Sequence, residues 1–405
     1  MGDQFVGTRF SVKPRWWLMA ALVGLSSPAA AETAACPSVG TWLDPKTGQI
    51  LAADRMIADL AERRIVLLGE SHDNPEHHRW QLHTLAALQS RRPELVIGFE
   101  MFPRSVQPAL EAWSKGELSE AEFLEQSRWH EVWGFHPALY LPLFHFARQT
   151  RSPTVALNVE RDLVARVGQE GWQAIPADQR EGVSDPAPAD PAYRESLAEV
   201  YLLAHGNNDE VDSVENIEGD DFAHFVEAQL TWDRAMAEAL AAAAQAHPEA
   251  LIVGIIGQGH LEHGYGVPHQ LADLGMTDVA VLLPRDPTAV CALASAEIAD
   301  GIFVVDPLPP ASDMPDKPKL GVFLEGAEGG LRILRVAEGG VAEAADLRSG
   351  DIITAAAGAP LKDVGDLVTV IGRQAPGTWL PLEVQRDGAL LEVVAKFPPN
   401  LVPAP

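Results

Sequence analysis

Five short apolar runs rich in β-branched residues recur along the chain: Ile65–Leu68, Leu95–Phe99, Thr154–Leu157, Leu251–Ile256 and Val279–Leu283. None alternates apolar with polar residues, so none has a face that can meet water. Such runs are the mark of strands covered on both sides, as in a parallel sheet. Between them lie stretches with helical spacing: Glu76–Ser90, Ser105–Lys115, Ser119–Ser127, Pro137–Gln149, Arg161–Glu170 and Asp221–Ala246. Strand and helix in alternation predict an α/β fold, a mostly parallel sheet with helices on both faces.

Ligands of open α/β sheets bind outside the carboxyl ends of the strands, so the residues that follow each run carry the functional reading. The first run leads into Gly69-Glu70-Ser71-His72, the second into Glu100, the third into Asn158 and Arg161, and the fourth into Gly257-Gln258-Gly259-His260. If the strands are parallel, Glu70, His72, Glu100, Asn158, Arg161 and His260 meet on one rim. The glycines permit the sharp turns that place each His over the sheet edge. Two Glu and two His can hold a divalent metal and activate water. One Glu and one His can instead act as base and acid without metal. A serine-esterase reading lacks a Gly-x-Ser-x-Gly, and Ser71 is a poor nucleophile candidate. His77, His78 and His83, on the helix after the first motif, read as surface or rim residues. A second set is rich in rings: Trp129, His130, Trp133, Phe135, His136, Tyr140, His263 and Tyr265. Such a set suits either core packing or a flat apolar ligand such as haem, whose iron accepts His or Tyr.

The whole sequence of 405 residues is 47% hydrophobic, with a net charge of −27. That excess of acid repels phosphate backbones and anionic lipid, which argues against nucleic-acid binding. Residues 1–31 read as a secretory signal: Arg9, Lys13 and Arg15 precede the apolar run Trp16 to Leu25, with Ala29-Ala30-Ala31 at the cleavage point. The run is too short for the ~20 residues of a membrane span, and no transmembrane segment is expected elsewhere. Export to the periplasm or beyond follows. Lipid anchoring does not, because Thr33 stands where a lipoprotein needs Leu three residues before Cys36. In an oxidising compartment the only two cysteines, Cys36 and Cys291, are expected to pair.

Five prolines in residues 306–318 mark a linker between a large domain at 36–305 and a smaller Gly-rich one at 319–398. All 13 histidines lie between His72 and His269, so imidazole chemistry belongs to the large domain. The acidic stretch 184–220 reads as an insertion or lid, partly mobile.

Taken in order, Gly69-Glu70-Ser71-His72, Glu100-Met101-Phe102 and Gly257-Gln258-Gly259-His260 resemble the ChaN-like haem-binding uptake proteins, relatives of the Tiki, TraB and erythromycin-esterase groups. Supporting segments are Trp129…Trp133, Tyr140-Leu141-Pro142-Leu143, and Gln229, Asp233, Met236 and Ala237 on one helix. The resemblance implies haem binding linked to iron supply. The segment Glu262-His263-Gly264-Tyr265-Gly266 departs from the family, so the iron ligand does not carry over; Tyr265 and His263 are the candidates, with His136 and Tyr140 of the ring-rich set, and Asn158, Arg161, Gln229 and Asp233 are candidate substrate contacts. Relatives in the wider superfamily also imply hydrolysis, with or without a metal, at Glu70, His72, Glu100 and His260. Residues 319–398 resemble a bacterial PDZ domain. Leu320-Gly321-Val322-Phe323 stands at the carboxylate-binding loop, and Ser349-Gly350-Asp351-Ile352-Ile353 matches the family's Gly-Asp-x-Ile core. Such domains add a C-terminal peptide as an extra strand. A scaffold whose whole function is PDZ binding is a third alternative. The assembly state is open, with a homodimer among the alternatives.

Overall fold

The computed structural model describes residues 36–205, 219–292, 297–308, 318–327, 329–361, 364–372, 374 and 377–398. The expected signal segment, residues 206–218 of the acidic stretch and residues 309–317 of the expected linker lie outside the described residues.

Eight strands form the first sheet: β1 (Trp42–Leu43), β2 (Ile50–Leu51), β3 (Ile65–Glu70), β4 (Leu95–Pro103), β5 (Thr154–Asn158), β6 (Leu251–Gly257), β7 (Val279–Arg285) and β8 (Gly301–Val304). Their order is β2-β1-β8-β7-β3-β6-β4-β5. From β8 to β5 all neighbours run parallel, and β1 lies antiparallel to both β8 and β2. Every residue of β3, β4 and β6 is buried, as their apolar runs require. Alternate residues of β3 feed opposite layers. Val66 and Leu68 pack with Trp80, Leu85, Trp129 and Phe144 on one face. Ile65 and Leu67 pack with Met236, Ala237 and Leu240 of the Asp220–Ala246 helix on the other. The sheet is thus the middle of three layers, mixed α/β and mostly parallel.

The five expected strands all form, and each runs one to four residues further at its carboxyl end. Glu70 and Glu100 are therefore strand residues, held by the ladder rather than by a loop. The short strands β1, β2 and β8 escaped prediction because two to four residues carry no readable period. The acidic stretch is not loose where it is described. Its Pro191–His205 helix buries Tyr193, Leu197 and Ala198 against Phe222, Val226 and Leu230.

The second sheet is antiparallel: β9 (Val322–Ala327), β10 (Gly330–Val336), β11 (Ile352–Ala356), β12 (Ala359–Pro360), β13 (Trp379–Arg386) and β14 (Ala389–Lys396). Its order is β14-β13-β11-β10-β9, with β12 on β11. The Val364–Gly372 helix buries Leu367 and Ile371 in the core beneath it. Both cysteines, Cys36 and Cys291, are disulfide-bonded, as expected. Among the described residues no helix is long and apolar enough to cross a membrane.

Candidate functional site

Strand order β3-β6-β4 brings three chain segments that are distant in sequence to one rim. Glu70 closes β3 in register with Gly257, the last residue of β6. Glu100 lies in β4, one residue past the pair that Phe99 makes with Ile255 of β6.

Two carboxylate–imidazole pairs stand on this rim. In the first, Nδ1 of His72 is 2.8 Å from Glu70 Oε1. The same oxygen accepts the hydroxyl of Tyr140 at 2.7 Å, and His78 Nδ1 makes an ion-pair contact with Oε2 at 3.0 Å. Burial by itself would raise Glu70. The hydrogen bonds and charges of His72 and His78 overcome it and hold the carboxyl at about 2. Burial likewise opposes the charged forms of His72 and His78, but Glu70 carries both upward, helped at His72 by Glu100. Burial and the neighbouring Glu70 drive the Tyr140 phenol far above its usual range, so it serves only as a donor.

The second pair joins His260 to Asp233, a wholly buried residue of the Asp220–Ala246 helix. Asp233 Oδ1 is 2.7 Å from His260 Nδ1, and Oδ2 accepts the Tyr193 hydroxyl at 2.9 Å. Burial would lower His260, but the charge and hydrogen bond of Asp233, with Glu100 behind, push it up to about 9. A carboxylate accepts only, so each Nδ1 carries a proton and each Nε2 is the working nitrogen.

Both Nε2 atoms lie 3.9 Å from the same oxygen, Glu100 Oε1. That is too long for a direct hydrogen bond. Glu100 Oε2 accepts the backbone N–H of Gly257. A Cβ on Gly257 would fall 2.9 Å from His72 Cε1, so glycine is what lets this imidazole lie over the strand end. Glu70, His72 and His260 line a cavity of about 380 Å³, walled on one side by Phe135. Chemically, the arrangement can pass a proton in and out at one point. Among the described residues no group of three or more His, Cys, Asp or Glu is arranged to hold a metal ion.

The other expected residues divide. Asn158 holds the backbone of the rim, its amide donating to the Glu100 carbonyl at 3.2 Å. Gln229 sits half-buried one turn before Asp233, and Arg161 is exposed at the start of its helix. Neither makes a hydrogen bond or ion pair among the described residues. His77 and His78 are not surface residues: both are buried. His77 accepts the Ser71 N–H at 2.8 Å, and burial with the nearby His78 and Arg285 charges lowers it to about 4. A stripe of His77, Gln81, Thr84 and Leu88 at helical spacing marks this inward face. Tyr193 was missed altogether.

Of the ring-bearing set, Tyr140 is fully buried and committed to Glu70. His136 caps a short turn, its Nδ1 accepting the Ala138 N–H at 3.1 Å. His263 and Tyr265 differ: they stack on an outer turn, with ring centroids 5.1 Å apart and planes at 24°. His263 holds a left-handed φ of 58°, pinned by its N–H to the Ile298 carbonyl and by Nδ1 to the Glu297 carbonyl. The residue is exposed, and its Nε2 has no hydrogen-bond partner among the described residues. The Tyr265 hydroxyl has no hydrogen-bond partner among the described residues. The Tyr140 hydroxyl, by contrast, is already donated to Glu70.

In the second sheet, Gly321 takes a φ of +83°, which turns the chain into β9. Leu320 is buried, Val322 half-buried and Phe323 exposed. β9 is bonded on one side only, so its other edge is open.

Fold and rim define an α/β protein with a polar strand-end centre, joined to a PDZ module. The residues 56–271 match the model of the haem-binding uptake family of the Tiki superfamily, ChaN, and residues 318–396 match the PDZ domain. The chain belongs to the ChaN haem-binding uptake family. A solved structure of ChaN of Campylobacter jejuni with cofacially bound haem is similar to it in fold, at 19% identity and a TM-score of 0.51. The match covers 65% of this chain and 96% of that one. The HtrA3 PDZ domain bound to a phage-derived ligand is 23% identical over 19% of this chain and 82% of its own, with a TM-score of 0.18. The serine endoprotease from Yersinia pestis is 25% identical over 19% of this chain and 27% of its own, again at 0.18. No curated protein matches the chain.

Proposed function

We propose that this protein binds haem at His263 and Tyr265, outside the cytoplasm and in the service of iron supply, and that its PDZ module holds a partner by a peptide terminus. The observation that carries the reading is the stacked pair on an outer turn, whose phenol oxygen and Nε2 have no partner among the described residues. Haem iron supplies an open coordination position that such donors fill. Family membership supports the ligand; the signal-like segment and the disulfide support the compartment. The test is a haem titration of the chain from Glu32, followed by visible absorption. A saturable Soret shift that Tyr265→Phe or His263→Ala weakens is expected. A spectrum indistinguishable from free haem overturns the reading.

A second reading rests on a different observation, the two imidazoles aimed at Glu100. It is hydrolysis at Glu70, His72, Glu100 and His260, with or without a divalent metal. Ester or peptide turnover that His72→Ala abolishes, while circular dichroism stays native, is its expected signature. Absence of turnover across ester and peptide panels, with and without added divalent metal, ends it.

A further inference from the structure

The open edge of β9 carries a feature that peptide capture alone does not need. Val322 and Leu324 of β9 pair with Val336 and Ile333 of β10, and all four contribute to the module's core. Strand alternation then places Phe323 and Glu325 on the outer face. On β10, simple alternation from the buried Ile333 would turn residue 335 inward. A β-bulge at Leu334 breaks the register. It brings Arg335 opposite Phe323 on the outer face, and bulges re-aim side chains in this way.

The Arg335 guanidinium carbon lies 3.8 Å from the centre of the Phe323 ring. The guanidinium therefore rests on the outward side chain of the edge strand, directly across from its own position on β10. It makes no ion pair among the described residues. The three other described arginines of the module are all paired: Arg332 with Glu325, Arg348 with Asp346, and Arg386 with Asp351. In a chain with a net charge of −27, an arginine held on the edge strand's outward ring with no acid partner among the described residues can take one from a bound strand.

A peptide that pairs with β9 lies about 4.8 Å from it. With its terminal carboxylate at the Gly321 turn, its last residue stands opposite Val322, over the apolar side. Its penultimate residue stands opposite Phe323 and faces outward, within reach of Arg335. We infer that the module selects partner C-termini with an acidic penultimate side chain, and that Arg335 reads it. This rests on the peptide-terminus reading above.

The test uses the chain from Glu32 and synthetic peptides ending in a free valine carboxylate, identical except for Glu, Gln or Lys at the penultimate position. Calorimetric titration at low salt should give Glu about fivefold tighter than Gln, the scale of one exposed charge pair, and Lys weakest. Added salt should erode the ratio. In Arg335→Gln the Glu and Gln peptides should bind alike, at the affinity of the wild type for the Gln peptide. That last equality separates recognition from damage to the groove. Three peptides of equal affinity would overturn this inference and leave peptide capture standing. A Glu preference that survives Arg335→Gln would remove Arg335 from the role. No binding by any of them would overturn both readings.

Discussion

Asp233→Asn tests the electrostatics of the rim most directly. The substitution keeps the volume and removes the charge that faces His260 Nδ1 at 2.7 Å. His260 is pushed from 6.5 up to about 9 in the folded protein, which corresponds to ~3 kcal/mol of preference for the imidazolium. The folded-state value is the higher one. This stability is therefore fully present below pH 6.5 and is lost as the pH rises through 9. The Asn variant lacks most of it at any pH. At pH 6 it should be less stable than the wild type by ~3–5 kcal/mol, the cost of leaving one member of a buried pair alone. By pH 9.5 the gap should shrink by ~3 kcal/mol. Urea unfolding at the two pH values measures both quantities. Trp232, whose ring centre lies 6.1 Å from that of His260, provides a fluorescent reporter. Groups elsewhere titrate alike in both proteins and cancel in the difference. A gap of the same size at pH 6 and pH 9.5 would refute the claim that Asp233 holds the charge on His260.

Glu70 has the opposite sign. Its folded value of about 2 lies below the ordinary 4.5, so its stabilisation is present above pH 4.5 and lost as the pH falls through 2. Acid unfolding of Glu70→Gln should show a slope shallower than the wild type, worth ~3 kcal/mol over that window; parallel curves would contradict the assignment. Gly257→Ala should leave the fold intact by circular dichroism while displacing His72, because the new Cβ would fall 2.9 Å from its ring. An unshifted His72 imidazole resonance in that variant would show that the glycine is dispensable.

The reach of the sequence has a physical boundary in this chain. Strands β3, β4, β6 and β7 are legible because a strand buried on both faces has no polar residue to blur it. Their order is what turns Glu70, Glu100 and His260 into neighbours, and the convergence at strand ends was anticipated on that ground. What resisted reading were the partners that arrive from other elements. Asp233 was picked out by family likeness on its helix, but nothing local shows that it meets His260, 27 residues further on. Tyr193 sits in an acidic stretch whose charges hide a short apolar face. His77 and His78 read as surface or rim residues, although His77, Gln81, Thr84 and Leu88 already form a stripe that marks an inward face. Tyr140 was read as a haem residue because a tyrosine among tryptophans looks like a ligand pocket; its hydroxyl is spent on Glu70.

The two halves of the rim repeat one device. In each, a buried carboxylate takes Nδ1–H of a histidine and the hydroxyl of a buried tyrosine: Glu70 with His72 and Tyr140, Asp233 with His260 and Tyr193. The tyrosine occupies a lone pair and fixes the carboxylate, the carboxylate fixes the ring, and the ring aims Nε2 at Glu100. Burying two carboxylates is costly unless hydrogen bonds or opposite charges compensate each; here His72, Tyr140 and the His78 ion pair do so for Glu70, and His260 with Tyr193 for Asp233. A porphyrin held at the outer turn by His263 and Tyr265 makes no demand on Glu100 or on the direction of either Nε2. On the proposed reading, the strand-end centre and the outer pair are separate requirements. His72→Ala and Tyr265→Phe should divide them: the first should spare haem binding, the second should spare whatever chemistry occurs at Glu100.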